Sequence, residues 1–258
     1  MKSLDLQFVR SHFPALKNGF IFFDNAGGTQ TCRQVGERIH DYLFNTNVQL
    51  GASYEISKQS TIRVEQARKT WAEMLGAEDP KEIIFGSSTT QLLQNLSKSL
   101  VQTFHPGDEV IVTNCDHEAN IGPWLAMQKQ GILVKSWKIN PGNWQLELDD
   151  LKKLLSPKTK LVAFTHVSNL LGMINPVKEI TKLVHDHGAQ VCVDGVAYAP
   201  HRSIDLAAWD VDFYVFSLYK VYGPHYSILF GKKEYLLNLP GINHFFIGES
   251  DIPYKFQP

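Results

Sequence analysis

From about residue 55 onward the chain alternates short apolar runs with longer segments whose apolar residues recur at helical spacing. No other feature narrows its possible folds as much. Ser60 to Ala77 sets Ile62, Val64, Ala67, Trp71, Met74 and Leu75 near one helical face and stops at Gly76, as an amphipathic helix does. "EIIFG" then predicts a strand, and "TTQLLQNLSKSLVQTF" predicts a helix with Leu92, Leu93, Leu96 and Leu100 inward. The pattern repeats as "DEVIVTNC" (strand), "ANIGPWLAMQKQG" (helix), "LVKSWKIN" (strand), "ELDDLKKLLSPKT" (helix), "KLVAFTHVSN" (strand), "PVKEITKLVHDHG" (helix) and "AQVCVDGV" (strand). Such units predict an α/β fold of three layers, a mostly parallel sheet covered by helices on both faces. The apolar strands "LVAF" and "VCV" agree with burial on both sides. No repeat, low-complexity tract or polar linker divides the chain, so residues 15–258 read as one domain behind an arm or helix over residues 1–14.

Composition closes off several classes. At 258 residues and 43% hydrophobic content the chain can bury a large core. Its 25 basic and 26 acidic residues leave a net charge of −1, so no long-range field attracts nucleic acid or an anionic membrane. Asp5, Arg10 and His12 interrupt the apolar residues at the N-terminus, and no run reaches about 18 apolar residues, so neither a signal peptide nor a membrane span is expected. Cys32, Cys115 and Cys192 are odd in number and far apart, which fits neither a disulfide framework nor a metal site and suits buried or partly buried thiols in a reducing cytosol.

In open α/β sheets ligands bind beyond the carboxyl ends of the strands. "GSSTT", Gly86 to Thr90, stands there between a strand and a helix, either as an ordinary cap or as an anion site of hydroxyls and free amides. The next strand ends deliver His117, then His166 and Asn169, then Asp194, a carboxylate at the end of an apolar strand that needs a partner. The final apolar run, "VDFYVFSLYKVYGPHYSILFG", brings Lys220 and breaks at Gly223-Pro224. Alone, Lys220 could be a strand-end lysine with its amine in solvent. Pyridoxal phosphate would use the whole set: a helix start for phosphate, a flat partner for the ring, a carboxylate for the pyridine nitrogen and an amine for the aldehyde. No Gly-x-Gly-x-x-Gly follows the first strand, which weighs against a nucleotide-binding protein.

In "FFDNAGGT", "STTQ", "DHEANIGPW", "HVSNLLGMINPVKEI", "VCVDGVAYAPHRSIDL" and "DFYVFSLYKVYGP", the chain resembles the class V aminotransferase superfamily of fold-type I pyridoxal-phosphate enzymes, within it the cysteine desulfurase-like group. The resemblance implies that Lys220 carries the Schiff base and moves protons at the substrate carbon. It further implies that Asp194 keeps the pyridine nitrogen protonated, that His117 stacks on the ring, and that Asn169 contacts the ring hydroxyl or the substrate carboxylate. Thr89, Thr90 and Ser217 would hold the phosphate, and Asn25, Ala26 and Gly27 would lie near a small amino-acid substrate. A homodimer in the cytoplasm is implied as well.

Three departures stand out. Ala197 replaces a glutamine that contacts the ring oxygen, with His201 as a nearby candidate for that contact, and Tyr219 replaces a histidine before the lysine. The family's C-terminal small domain, with its substrate-binding arginine and reactive cysteine, is missing after "DIPYKFQP", and none of the three cysteines matches that cysteine's place. Desulfuration, transamination, a lyase or epimerase reaction, and a truncated non-catalytic chain all stay open.

Overall fold

A computed structural model describes residues 4–242 and 244–257; residues 1–3 of the expected arm, and Pro258, lie outside the described residues. The helices are α1 (Leu6–Ser11), α2 (Arg33–Asn45), α3 (Glu55–Leu75), α4 (Thr89–Leu100), α5 (Gly122–Leu125), α6 (Leu148–Leu154), α7 (Val177–His185), α8 (Leu206–Trp209) and α9 (Lys233–Asn238). The strands are β1 (Ile83–Gly86), β2 (Glu109–Thr113), β3 (Leu133–Trp137), β4 (Thr159–Thr165), β5 (Gln190–Asp194), β6 (Phe213–Ser217) and β7 (Ser227–Gly231). Among the described residues they form one sheet in the order β1-β7-β6-β5-β4-β2-β3. Every pairing from β6 to β3 is parallel, whereas β7 runs antiparallel to both β6 and β1.

The expected three layers are present, and the alternation of side chains along each strand shows why. Val162 and Phe164 of β4 enter one core with Ala72 and Leu75 of α3, Leu151 of α6 and Ile180 and Val184 of α7. Their neighbours Leu161 and Ala163 enter the opposite core with Leu92, Leu93, Leu96 and Leu100 of α4, Trp124 of α5 and Leu236 of α9. Each such fully buried leucine contributes about 1.5–3 kcal/mol relative to exposure. Strands apolar on both faces are required because both faces are covered.

Two helices depart from expectation. The helix expected from Ser60 begins at Glu55. Its first turns hide polar residues inward, where Ser57 Oγ donates to Gln49 O at 2.7 Å and Ser60 Oγ to Thr46 O at 2.5 Å, so buried hydroxyls mask the apolar period. The helix expected over Ala119–Gly131 is broken into a 3₁₀ turn (Glu118–Asn120), the short α5 and a second 3₁₀ stretch (Ala126–Gln130). Asn120 turns inward there, accepting from Trp124 Nε1 at 3.0 Å, and Pro123 has no amide for a preceding turn. The arm contains α1, capped by Asp5, which accepts from Phe8 N at 2.9 Å.

The segment after α9 is fastened by Lys255, which is 1% exposed and donates from Nζ to Leu237 O (3.2 Å), Leu239 O (2.6 Å) and Glu249 O (2.6 Å). Truncation leaves three carbonyls without this donor beside buried Ile252 and Phe256. Lys255→Ala is therefore expected to cost about 3 kcal/mol in a urea melt, with the activity of the surviving folded fraction retained.

Candidate functional site

The register of the sheet brings the chemistry to one edge. Thr165 pairs with Asp194, and Asp194 with Val215, so β4 and β5 end level while β6 runs on to Ser217. Because β7 is antiparallel, its first residue, Ser227, pairs with both Ser217 of β6 and Gly86 of β1. The loop between β1 and α4 therefore lies beside two serines from the far end of the sequence. Ser88 caps α4 by accepting from Gln91 N at 3.1 Å. Buried Thr89 turns its hydroxyl to Ser217 Oγ (2.7 Å) and Ser227 Oγ (3.3 Å), while exposed Thr90 lines the cavity in front of the helix start.

That cavity, about 100 Å³, is also lined by His117, Asn169, Asp194, Ser217 and Lys220, so one space receives residues from five different strand ends. Asp194 is 4% exposed, and among the described residues its carboxylate accepts one hydrogen bond, from Val196 N at 2.8 Å. Burial raises its pKa, opposed by that hydrogen bond and by the nearby His117 and Lys220. Gly195 follows because no side chain fits: a Cβ there would overlap the Tyr214 ring.

Lys220 closes a 3₁₀ turn (Leu218–Lys220) after β6 and is 9% exposed. Its amine has no hydrogen bond or ion pair among the described residues, and burial lowers its pKa against the pull of Asp194 and Asp24. The turn is tied to the N-terminal segment: Thr29 donates from both N (2.8 Å) and Oγ1 (3.0 Å) to Tyr219 O, and its Oγ1 accepts from Tyr222 N at 2.7 Å. Gly28, at φ 136°, lies so close that a Cβ would stand 3.2 Å from the Tyr219 ring. Tyr219 itself lines the cavity and stacks on His225 at 4.6 Å.

His117 is exposed, its Nδ1 accepting from Ala119 N at 3.1 Å, which leaves the ring proton on Nε2. Asn169 sits on a loop held by an isolated bridge between Val167 and Ile174, and it lines both this cavity and a second one of about 340 Å³. Asn25, Ala26 and His201 line the second cavity and not the first. Lys220 and Ala197 are shared by both. Gly27 lies in the 3₁₀ turn Asn25–Gly27, its N–H donating to Asp24 Oδ1 at 3.1 Å.

Two parts of the site, Ser227 and Asp116, had no place in the expectations, and a third, His166, was expected only as a residue at a strand end. Ser227 joins the hydroxyl cluster through an antiparallel strand that no local pattern announces. Asp116, 8% exposed, accepts from Asn120 Nδ2 (2.6 Å), Thr165 N (3.0 Å) and Thr113 Oγ1, fastening the His117 loop to β4. Burial pushes it up to about 7. His166 is 4% exposed, stacked on Tyr198 at 3.6 Å and bonded through Nδ1 to Tyr214 Oη at 2.9 Å; burial pushes it down to about 3, so it is neutral and structural. The adjacency "CDHEAN" was the available signal for Asp116, a carboxylate beside an apolar strand end.

Of the cysteines, Cys115 and Cys192 are buried, with burial pushing both thiols up, and Cys32 precedes α2 and lines neither cavity.

Residues 21–247 match the family model of class V aminotransferases. The chain is 47% identical over 262 residues to the aminotransferase-like protein FGM3 of Gibberella zeae, covering 99% of this chain and 64% of that one. It is 39% identical to a probable cysteine desulfurase of Mycolicibacterium paratuberculosis, covering 92% of this chain and 36% of that one. It thus spans less than two thirds of either relative's length. Among solved structures, the apo cysteine desulfurase of Thermococcus onnurineus superposes with a TM-score of 0.89 at 28% identity, over 99% of this chain and 67% of that one.

Proposed function

The chain belongs to the class V aminotransferase family, and on that premise we propose that it is a pyridoxal-phosphate-dependent enzyme of amino-acid or sulfur metabolism, cysteine desulfurase-like, with Lys220 as the residue that bonds the cofactor. The observation that carries this reading is the meeting, in one cavity, of a buried amine and a buried carboxylate that have no ionic partner at hydrogen-bonding distance among the described residues. The donor set fits the group. A cationic pyridinium would neutralise Asp194, an aldehyde would engage Lys220, and a phosphate would meet the hydroxyls of Thr89, Thr90 and Ser217 at the amide end of α4. When bound, the cofactor supplies an electrophilic aldehyde and a ring that accepts the electron pair released at the substrate's α-carbon.

The rest is done by this chain's own residues. Asp194 would hold a proton on the pyridine nitrogen and His117 would lie against the ring, while Asn169 would contact the ring hydroxyl or the substrate carboxylate. Lys220 would hold and return a proton at the substrate's α-carbon, a role suited to its lowered pKa. Asn25, Ala26 and Gly27 border the substrate, and His201 stands on the substrate side of Lys220. Residues 15–258 form the cofactor-binding large domain in this reading.

A second reading rests on the thiols. Among the described residues no cysteine lines either cavity, so persulfide formation needs a thiol from elsewhere, whereas transamination or lyase chemistry needs none. Protein supplied with pyridoxal phosphate, L-cysteine and a thiol reductant is expected to release sulfide with alanine; keto acid in place of alanine, with sulfide for a lyase and without it for a transaminase, selects the second reading, and no product at all marks a non-catalytic chain.

The reading extends to a cytoplasmic homodimer. Among the described residues no helix is long and apolar enough to cross a membrane. Phe20, Ile21, Phe23, Leu43 and Phe44 stand 53–94% exposed on α2 and the segment before it, an apolar area suited to a second copy. Light scattering at twice the chain mass is expected, and a monodisperse monomer removes the dimer from the account.

A further inference from the structure

His117 is exposed, so burial does not fix its side chain, and among the described residues its ring makes one hydrogen bond, accepted by Nδ1 from Ala119 N at 3.1 Å within its own turn. The direction of the ring is therefore set by the turn, and the turn has to be held from outside. Asn120 N donates to His117 O at 2.8 Å and closes it. The side chain of Asn120 reaches back past the histidine and donates from Nδ2 to Asp116 Oδ1 at 2.6 Å. Asp116 and Asn120, which flank the turn, are thus bonded to each other.

Asp116 ties this pair into the sheet. Its carboxyl group also accepts from Thr165 N at 3.0 Å, at the end of β4, and from Thr113 Oγ1, at the end of β2. Asn120 is fully buried and accepts from Nε1 of Trp124, itself fully buried, at 3.0 Å. The loop that carries Asn169 joins the same knot, since Ser168 Oγ donates to Cys115 O at 3.0 Å. Two strand ends, the His117 turn and the Asn169 loop therefore converge on Asp116 and its neighbours. A carboxyl group can accept from all three donors at its two oxygens, whereas an amide has one oxygen and turns N–H groups toward donors. Burial leaves each lost bond uncompensated by water.

We infer that Asp116 is the positioning residue for His117, fixing the imidazole at the wall of the cavity it shares with Asp194 and Lys220 before any cofactor arrives. What the ring does there rests on the Lys220 reading above; its fastening does not, and the tests separate the two. In the cofactor-free protein at mildly alkaline pH, heteronuclear NMR of the histidine rings is expected to show His117 with its proton on Nε2 alone, and Asp116→Asn should convert it to the tautomer mixture of an unrestrained imidazole. Affinity for pyridoxal phosphate, read from the visible absorbance of the bound cofactor, should weaken roughly fivefold or more in Asp116→Asn. In a His117→Ala background the same substitution should change affinity by less than about twofold, because its effect runs through the ring. That comparison is needed because Asp116 and Asp194 repel each other, and an effect exerted through this repulsion persists without the histidine. If Asp116→Asn does not fold, Thr113→Val removes one donor while keeping the carboxyl group, and the same pattern is expected at smaller size. An unchanged His117 signal, or equal losses of affinity with and without His117, overturns the positioning role. Absence of any cofactor band from the wild type overturns the Lys220 reading, while the NMR result still supports or overturns the fastening on its own.

Discussion

Lys220→Ala is expected to reduce turnover by at least roughly 10³-fold, because one residue is asked both to bond the cofactor and to move the substrate proton. Stability should not follow activity. The Lys220 side chain is 9% exposed, its amine has no hydrogen-bond partner among the described residues, and burial lowers its pKa. The folded state thus binds that proton less tightly than the unfolded chain. The resulting penalty is present at neutral pH and fades as pH rises from the lowered value through the ordinary 10.5. Urea melts of the cofactor-free proteins should show the alanine variant at least as stable as wild type near pH 7, with the difference shifting in favour of wild type toward pH 10. A variant that loses activity and several kcal/mol together would instead make Lys220 a structural residue.

Asp194→Asn is the second large effect. Its carboxyl has a raised pKa, with burial as the leading cause, so the folded protein holds that proton more tightly than the unfolded chain. The stabilisation this gives is complete below the ordinary 3.8 and is lost as pH rises through the raised folded value. Above that, wild type carries a buried charge that asparagine lacks. Wild-type stability relative to Asp194→Asn should therefore fall as pH rises from the ordinary 3.8 through the raised folded value in the absence of cofactor. Pyridoxal phosphate should reverse the order, protecting wild type more than the variant, because only the carboxylate offers a counter-charge to a protonated pyridine. Turnover in Asp194→Asn should drop by roughly 10²-fold or more, measured at saturating cofactor. Equal protection of both proteins by the cofactor would remove Asp194 from its assigned role. These two substitutions share a signature, function lost with stability kept or gained, which is what a site built at the expense of the fold produces.

How much of this was legible in the sequence depended on whether a local pattern carried it. The inner parallel strands β2, β4, β5 and β6 were readable because burial on both faces makes them largely apolar, while the helix expected between β2 and β3 was over-read. Lys220, Asp194 and His117 were readable because a polar residue at the end of an apolar strand in such a sheet has one place to go. Ser227 was not, since its partnership with Thr89 and Ser217 exists only because β7 turns back antiparallel, a matter of long-range pairing. Asp116 was hidden for a similar reason: its donors Thr113, Asn120 and Thr165 come from two strand ends and a broken helix. The start of α3 was obscured by Ser57 and Ser60, whose hydroxyls satisfy carbonyls of the preceding loop and so occupy positions where a helix usually shows apolar side chains. Local periodicity located the edge of the sheet where these residues meet, and tertiary pairing decided the inner wall of their cavity.

The most direct measurement is chemical. Protein incubated with pyridoxal phosphate, reduced with borohydride, digested and mapped by mass spectrometry should carry the pyridoxyl group on Lys220 and on no other lysine, and Lys220→Ala should carry none. Labelling of a different lysine, or no labelling of a folded wild-type protein, would contradict the account at its centre.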